Sequence, residues 1–227
     1  MDWVDALILG LVQGITEFLP VSSTGHLVLV HELLNIEGSG ALAYDAVLHF
    51  ATTAAVMIYF RADIWNLIQV FLRKLGRLPV NEKDITLLYA LVIGTAPAVI
   101  LGLLLEDYVS TNLRTPLFVA GALLCASIFF LYAEWKFYLQ PMQGELTVKK
   151  GLMVGLYQAL ALIPGMSRSG ATIAGGMLLG MSRYEASRFS FLLAIPITLG
   201  VGIKMSIDLL KEGASVDWMM VAIGASS

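Results

Sequence analysis

The sequence predicts an all-α polytopic membrane protein, and two observations carry this prediction. Of the 227 residues, 58% are hydrophobic and 14% are charged, whereas soluble domains carry about 25% charged residues. Four apolar stretches are near the length of about 20 residues that a helix needs to cross a bilayer: 44–60, 85–105, 116–133 and 188–210. We therefore treat residues 1–227 as a single integral membrane domain.

The positions of lysine and arginine predict how the chain is oriented. These residues concentrate in segments 61–84 and 134–150, whereas segment 106–115 contains only Arg114. By the positive-inside rule, the first two segments face the cytoplasm and the third faces outward. The first 44 residues contain no lysine or arginine, which is consistent with an outer location.

Two apolar regions are interrupted by polar residues. Residues 3–18 are followed by a break at Pro20 to Gly25 and then by an apolar helical pattern over 26–35. Residues 149–180 are interrupted in the same way by the sequence PGMSRSG. Both patterns predict a broken or re-entrant helix, which requires that the irregular backbone be buried in protein or line a wet cavity.

The two breaks belong to a weak internal repeat with an offset of 145 residues. The matching residues are Gly10, Gln13, Ser22 and Gly25, which recur as Gly155, Gln158, Ser167 and Gly170. We assign repeat 1 to about 3–105 and repeat 2 to about 149–227. With the predicted orientation the repeats are inverted, which would bring the two breaks together near the bilayer midplane. The chain stops inside an apolar segment, so we expect repeat 2 to be incomplete at its C-terminus.

The first break contains groups suited to acid–base or nucleophilic chemistry. Gln13 and Glu17 are four residues apart and share one helix face. Hydroxyls after Pro20 can cap the half-helix that follows, and His26 lies in its first turn. The candidate catalytic residues here are Glu17, Ser23 and His26, and the candidate phosphate-binding residues are Ser22, Thr24 and Gly25.

The second break contains a fixed cation, Arg168. Arginine suits bidentate binding of phosphate oxygens, and a half-helix N-terminus favours an anion. The remaining candidate phosphate-binding residues in this break are Ser167, Ser169, Gly170 and Thr172. Together the two breaks predict a site for a phosphate-bearing ligand, with Arg168 among the catalytic residues.

Structural explanations of the same residues remain open at this stage. Glu17 and His26 could lie at the membrane interface if the first hairpin is shallow, and Arg168 could pair with Glu17 as a purely structural bridge. His49 follows Asp45 by four residues, so the two could form a satisfied pair or could support the site. Charged groups at membrane depth cost several kcal/mol on insertion scales, which favours a functional interpretation.

The two motifs, QGITEFLPVSSTGH and PGMSRSGAT, make the chain resemble the undecaprenyl-diphosphate phosphatase family, also called the bacitracin-resistance family. The resemblance covers essentially the whole chain. It implies hydrolysis of a C55 polyprenyl diphosphate to the monophosphate, which recycles the lipid carrier of bacterial cell-wall synthesis. It also implies a location in the inner membrane, with the active site open to the outer side. The chain departs from the family pattern at Gln13, where glutamate is frequent, and at Ala51, where glycine is usual.

Several features of the mechanism stay open from the sequence. Either Ser23 or His26 attacks the terminal phosphorus, or His26 activates water. Glu17 either orients or deprotonates the attacking group, or holds a cation together with Gln13. Because a glutamate repels a diphosphate unless a metal or a proton intervenes, we expect a divalent cation, Mg²⁺ or Ca²⁺, at Gln13 and Glu17. The expected partners are the polyprenyl diphosphate and the membrane, with a homodimer also compatible and no nucleic acid. The alternative function is a lipid-phosphate transporter, since transporters also use inverted repeats and broken helices.

Overall fold

The computed structural model describes residues 2–36, 39–113, 115–140, 144–212 and 218–227, and within these ranges all regular structure is helical. The first half of the chain forms α1 (Trp3–Thr16), α2 (Ser23–Leu34), α3 (Ser39–Tyr59), α4 (Arg61–Leu75) and α5 (Glu82–Asn112). Helix α6 (Pro116–Leu139) leads to the second half, which forms α7 (Val148–Ala159), a 3-10 turn (Leu160–Leu162), α8 (Arg168–Leu178), α9 (Arg183–Glu212) and α10 (Trp218–Ser226).

Helices long and apolar enough to cross a membrane confirm the predicted fold class. Three stretches qualify among the described residues: Glu82–Leu105 in α5, Leu117–Leu139 in α6 and Arg183–Lys204 in α9. A fourth span is possible by length and composition if α3 and α4 are taken together, although they are bent by 75° at Phe60. The protein is therefore an all-α polytopic membrane protein.

The sequence does not predict helix α4, because residues 61–84 stand out only as a segment rich in lysine and arginine. One face of the helix, with Ile64, Leu67 and Val70, packs towards the protein. Most of its charged side chains are exposed, as are the apolar side chains of Trp65, Ile68, Phe71, Leu72 and Leu75. Asp63 accepts hydrogen bonds from Arg188 of α9, which ties α4 to the second half of the chain. The high charge content concealed an amphipathic helix.

Both predicted breaks are present, and in both a serine caps the half-helix that follows. Helix α1 ends at Thr16 and α2 begins at Ser23, and the Ser22 Oγ accepts a 3.4 Å hydrogen bond from the backbone N–H of Gly25. In the second break, the Ser167 Oγ accepts a 3.1 Å bond from the backbone N–H of Gly170. Each serine satisfies one free N–H of the half-helix that follows. The two capping serines are the residues that the 145-residue offset pairs.

The two halves of the chain are interleaved. Helix α1 packs against α10 and α7 packs against α5, while α3 and α9 pack against each other. Glycines allow these close approaches, because a Cβ atom on Gly10 would collide with the backbone of Gly224, and one on Gly155 would collide with the backbone of Gly94. Each broken hairpin therefore rests on a helix from the other half. The inverted orientation of the two repeats stays a prediction.

Two hydrophobic clusters support the halves. One joins α5, α7, α8 and α9 around Phe189 and Leu193, and the other joins α1, α2 and α3 around Leu9 and Leu48. The buried Tyr44 hydroxyl donates to the carbonyl oxygen of Ala6 at 2.9 Å and so ties α3 to α1. These contacts fix where each break lies.

Replacing Gly155 with alanine tests the close contact between α5 and α7. Because the added methyl group must push the two helix backbones apart, we expect Gly155→Ala to lower the free energy of unfolding by about 1–3 kcal/mol. The measurement is thermal unfolding in detergent. The matched control is Gly121→Ala in α6, where a Cβ meets nothing within 4 Å. Equal stability of both variants and the parent would contradict the assigned contact.

Candidate active site

Glu17 lies where the two breaks meet. It is the residue that follows α1, and 11% of its side chain is exposed. Its Oε1 accepts a hydrogen bond from Nη2 of Arg168, and its Oε2 accepts one of 2.6 Å from the hydroxyl of Ser23. Nε2 of Gln13 donates to the same Oε2 at 3.1 Å. One carboxylate thus joins the candidate catalytic groups of both halves.

A second contact ties the two breaks together. The Ser169 hydroxyl lies 3.2 Å from the backbone carbonyl oxygen of Leu19, to which it can donate, and 3.2 Å from the hydroxyl of Ser167. The same carbonyl oxygen accepts a 2.8 Å hydrogen bond from the backbone N–H of Val21, so the Ser169 hydroxyl is a second donor to it, from the other break. Ser169 therefore has a structural role in joining the breaks in addition to its place at the site.

His49 of α3 belongs to the same network. Its Nδ1 lies 3.4 Å from Oε2 of Glu17 and 2.9 Å from Nε2 of Gln13. Asp45, which the sequence spacing suggested as its partner, contacts Nε2 of His31 instead, at 2.8 Å. His49 is not among the candidate site residues predicted from the sequence. The sequence signal that points to it is a histidine within an apolar span, whereas its spacing from Asp45 indicates a different partner.

A cavity of about 300 Å³ opens beside Glu17 and Arg168. This volume is at the lower end of the range for small-molecule sites. The polar residues that line it are Thr16, Glu17, Ser22, Ser23, Thr24, His49, Gln158, Ser167, Arg168, Ser169 and Thr198. The apolar part of the lining comes mainly from α3, α5, α9 and the second break, and includes Ala98, Leu162 and Val201. The cavity thus combines a polar end formed by the breaks with apolar walls.

Some predicted site residues do not line this cavity. His26 Nδ1 lies 2.9 Å from the backbone carbonyl oxygen of Ser22. Thr172 is fully buried and donates to the carbonyl oxygen of Arg168, and it contacts the hydroxyl of Ser190 at 2.5 Å. The predicted site residues outside the lining are Gln13, Gly25, His26, Gly170 and Thr172. Gln13 still contacts Glu17 directly, whereas Thr172 supports the backbone that carries Arg168.

Several buried polar atoms at the site have no hydrogen-bond partner within the described part of the chain. They are Oε1 of Gln13, Nη1 of Arg168, and both Oε1 and Nε2 of Gln158. Buried polar atoms in native proteins are nearly always bonded, so such exceptions need an explanation. Together with the N-termini of α2 and α8, the free Nη1 of Arg168 favours an anionic ligand.

The expected metal site can be tested against these atoms. The described residues contain no group of three or more His, Cys, Asp or Glu side chains placed to hold a metal ion. Gln13 offers an unpartnered Oε1, and Glu17 offers a carboxylate that already accepts hydrogen bonds. Magnesium commonly takes one or two protein ligands and completes its shell with water and substrate phosphates. Gln13 and Glu17 are therefore the residues that would supply ligands to such a cation, and its binding stays a prediction.

Comparison with known proteins identifies relatives along the whole chain. The family model described as bacitracin resistance protein BacA matches residues 6–227. An undecaprenyl-diphosphatase of Alteromonas mediterranea is 40% identical over 226 residues, which cover 100% of this chain and 84% of that protein. An undecaprenyl-diphosphatase of Hahella chejuensis is 39% identical over 98% of this chain and 82% of its own length. An undecaprenyl-diphosphatase of Myxococcus xanthus is 43% identical over 89% of this chain and 68% of its own length.

Removing either member of the Glu17–Arg168 pair tests its contribution to stability. Each single variant, Glu17→Leu or Arg168→Met, leaves a buried charge unpaired and should lower the free energy of unfolding by about 3 kcal/mol. The double variant should recover at least half of that loss, because no unpaired charge remains. Thermal unfolding in detergent measures all three. The control is the exposed pair of Lys83 and Glu145, where Lys83→Met should change stability little. Additive losses in the double variant would argue against the pairing.

Proposed function

The chain belongs to the bacitracin resistance protein BacA family, and on that premise we propose that it hydrolyses undecaprenyl diphosphate to undecaprenyl phosphate and inorganic phosphate. The observation that carries the proposal is the contact of Ser23 and Arg168 with the same carboxylate, Glu17, at the polar end of one cavity. Such an activity recycles the lipid carrier of cell-wall synthesis and confers bacitracin resistance.

Arg168 and the two half-helices would bind the diphosphate. Because Nη2 of Arg168 already contacts Glu17 while Nη1 is unpartnered, the guanidinium can bind a phosphate oxygen without releasing the carboxylate. The N-termini of α2 and α8 carry the positive ends of their helix dipoles, which attract the negatively charged diphosphate. A cavity of about 300 Å³ is too small for a C55 chain, so it holds the diphosphate and the first isoprene carbons. The rest of the prenyl chain would lie in the bilayer.

Ser23 is the nucleophile that the contacts favour. Its hydroxyl donates to Glu17 at 2.6 Å, which is the relation expected between a nucleophile and its base. The Ser23 oxygen would attack the terminal phosphorus while the bond from that phosphorus to the bridging oxygen breaks. The bond's electron pair leaves with undecaprenyl phosphate, and the hydroxyl proton passes to Glu17. Gln13 and His49 hold the carboxylate in place.

A water molecule would then complete the reaction. It attacks the phosphoserine at phosphorus while the bond from that phosphorus to the Ser23 oxygen breaks. Glu17 returns to the Ser23 oxygen the proton that it took in the first step, and inorganic phosphate leaves with the protons of the attacking water. In both steps, charge develops on the phosphoryl oxygens, where Arg168 and the half-helix N-termini provide donors that are already in position. His26 is less suited to attack, since its Nδ1 contacts the Ser22 carbonyl and its side chain does not line the cavity.

We also propose that Mg²⁺ or Ca²⁺ binds together with the diphosphate. Gln13 Oε1 and Glu17 would be the protein ligands, and phosphate oxygens and water would supply the others. When bound, the cation would neutralise part of the charge on the diphosphate. The unpartnered Oε1 of Gln13 is the structural support for this proposal.

The proposed location is the bacterial inner membrane, with the active site open to the outer side. The support is the distribution of charge. The first 44 residues lack lysine and arginine, whereas α4 contains Arg61, Arg73 and Lys74, and Lys149 and Lys150 lie in the first turn of α7. A homodimer stays a prediction.

Phosphate release by the purified protein tests the function and the nucleophile together. In detergent, the parent should release inorganic phosphate from undecaprenyl diphosphate and, after acid quenching, should yield a phosphoserine at Ser23 detectable by mass spectrometry. Ser23→Ala should lower turnover by about a thousandfold or more, because the nucleophile is lost. The control, His26→Ala, should stay within about tenfold of the parent.

Three outcomes would contradict these assignments. A parent protein that moves the lipid between vesicle leaflets and releases no phosphate would be a transporter. A phosphohistidine at His26 would transfer the nucleophilic role to that residue. Parent-like turnover by Ser23→Ala would remove Ser23 from the reaction.

Metal dependence is measured with variants of Gln13. Chelation with EDTA should abolish phosphate release, and added Mg²⁺ or Ca²⁺ should restore it. Gln13→Glu places a second carboxylate beside Glu17, so its half-maximal activating cation concentration should fall, whereas Gln13→Leu removes a ligand and should raise it. Full turnover after EDTA treatment, with no response to added cation, would exclude the proposed metal site.

A further inference from the structure

Gln158, on α7, is a buried residue whose polar atoms have no partner. The residue is 2% exposed, and neither Oε1 nor Nε2 of its side chain has a hydrogen-bond partner among the described residues. An amide that is desolvated without a partner destabilises the folded protein. A role in packing alone would be served at lower cost by leucine or methionine.

The matching residue of the first repeat shows what Gln158 lacks. Gln13 has three polar neighbours, Glu17, His49 and Thr52. The residues found 145 positions after those neighbours are Leu162, Ala194 and Ile197. None of these side chains can form a hydrogen bond. Both positions therefore have a buried glutamine, but the described residues provide polar partners for only one of them.

The unpartnered amide belongs to a residue that lines the same cavity as Arg168. Within the described ranges, a few buried side-chain nitrogen and oxygen atoms have no hydrogen-bond partner. Those that belong to residues lining this cavity are on Gln158 and Arg168. Two of these atoms, Nε2 of Gln158 and Nη1 of Arg168, are donors. A ligand rich in acceptor oxygens would satisfy both.

We infer that Gln158 is a substrate-binding residue whose carboxamide hydrogen bonds to the diphosphate. Nε2 donates to a non-bridging phosphate oxygen, and Oε1 accepts from a protonated phosphate oxygen or from a water bound to it. The amide is neutral, so it adds a donor without the repulsion that a second carboxylate would bring. The inference rests on the proposed function in so far as the ligand is a lipid diphosphate.

The test compares Gln158→Met, which keeps the length of the side chain and removes both polar atoms, with the parent. We expect kcat/KM for undecaprenyl diphosphate to fall about tenfold, as for the loss of one hydrogen bond to a charged group. The thermal stability of the ligand-free protein should be unchanged or higher, because a desolvated amide is removed. The matched control is Gln69→Met on the exposed surface of α4, which should change neither quantity.

A binding measurement separates this inference from the proposed function. Inorganic pyrophosphate should raise the unfolding temperature of the parent and of Gln69→Met, and should raise that of Gln158→Met by less than half as much. If the parent releases no phosphate but this difference is observed, the binding role stands and the phosphatase function fails. If the parent is active and Gln158→Met keeps both turnover and stabilisation by pyrophosphate, the binding role is wrong. A ligand-free Gln158→Met protein that is markedly less stable than the parent would also overturn it, since that result indicates a structural role.

Discussion

The ion pair between Glu17 and Arg168 is the contact on which the rest of the structure depends. A charged side chain alone at membrane depth is costly, and a buried charge needs both an opposite charge and hydrogen bonds. These two residues lie 151 positions apart, each beside a break in a helix. The two breaks must therefore meet for either charge to be tolerated. The contact from Ser169 to the Leu19 carbonyl holds the two non-helical segments together at the same place.

Bringing the breaks together requires helices that approach closely. The hydrophobic effect does not drive helices together inside a membrane, so close van der Waals packing at small residues contributes to their association instead. Gly10 against Gly224 and Gly155 against Gly94 supply that packing at equivalent places in the two halves. Because each broken hairpin rests on a helix from the other half, neither half would form its part of the site alone.

The two breaks share a serine cap but differ in the residue that follows it, and this difference divides the chemistry between them. The hydroxyls of Ser22 and Ser167 each accept from the backbone N–H of a glycine three residues later, yet the next residue is Ser23 in one break and Arg168 in the other. The first break thus contributes the hydroxyl and the carboxylate of the proposed reaction, and the second contributes the cation. Gln13 and Gln158 also differ between the two repeats. Nε2 of Gln13 donates a hydrogen bond to Glu17 of the same repeat, whereas both polar side-chain atoms of Gln158 are unpartnered among the described residues.

The sequence by itself determined the two breaks, their capping serines, the candidate roles of Glu17 and Arg168, and the family. These features could be predicted because prolines, capping hydroxyls and charges in an apolar chain are local signals. Tertiary structure alone decided which polar groups meet. His49 joins Glu17 and Asp45 contacts His31 because of how α3 packs against α1 and α2, which spacing within α3 does not encode. His26 lies in the predicted half-helix, but its contact with the Ser22 carbonyl and its absence from the cavity lining followed from side-chain placement. The same holds for Gln158, because a buried amide becomes informative only when its surroundings are known, and no described residue is its partner.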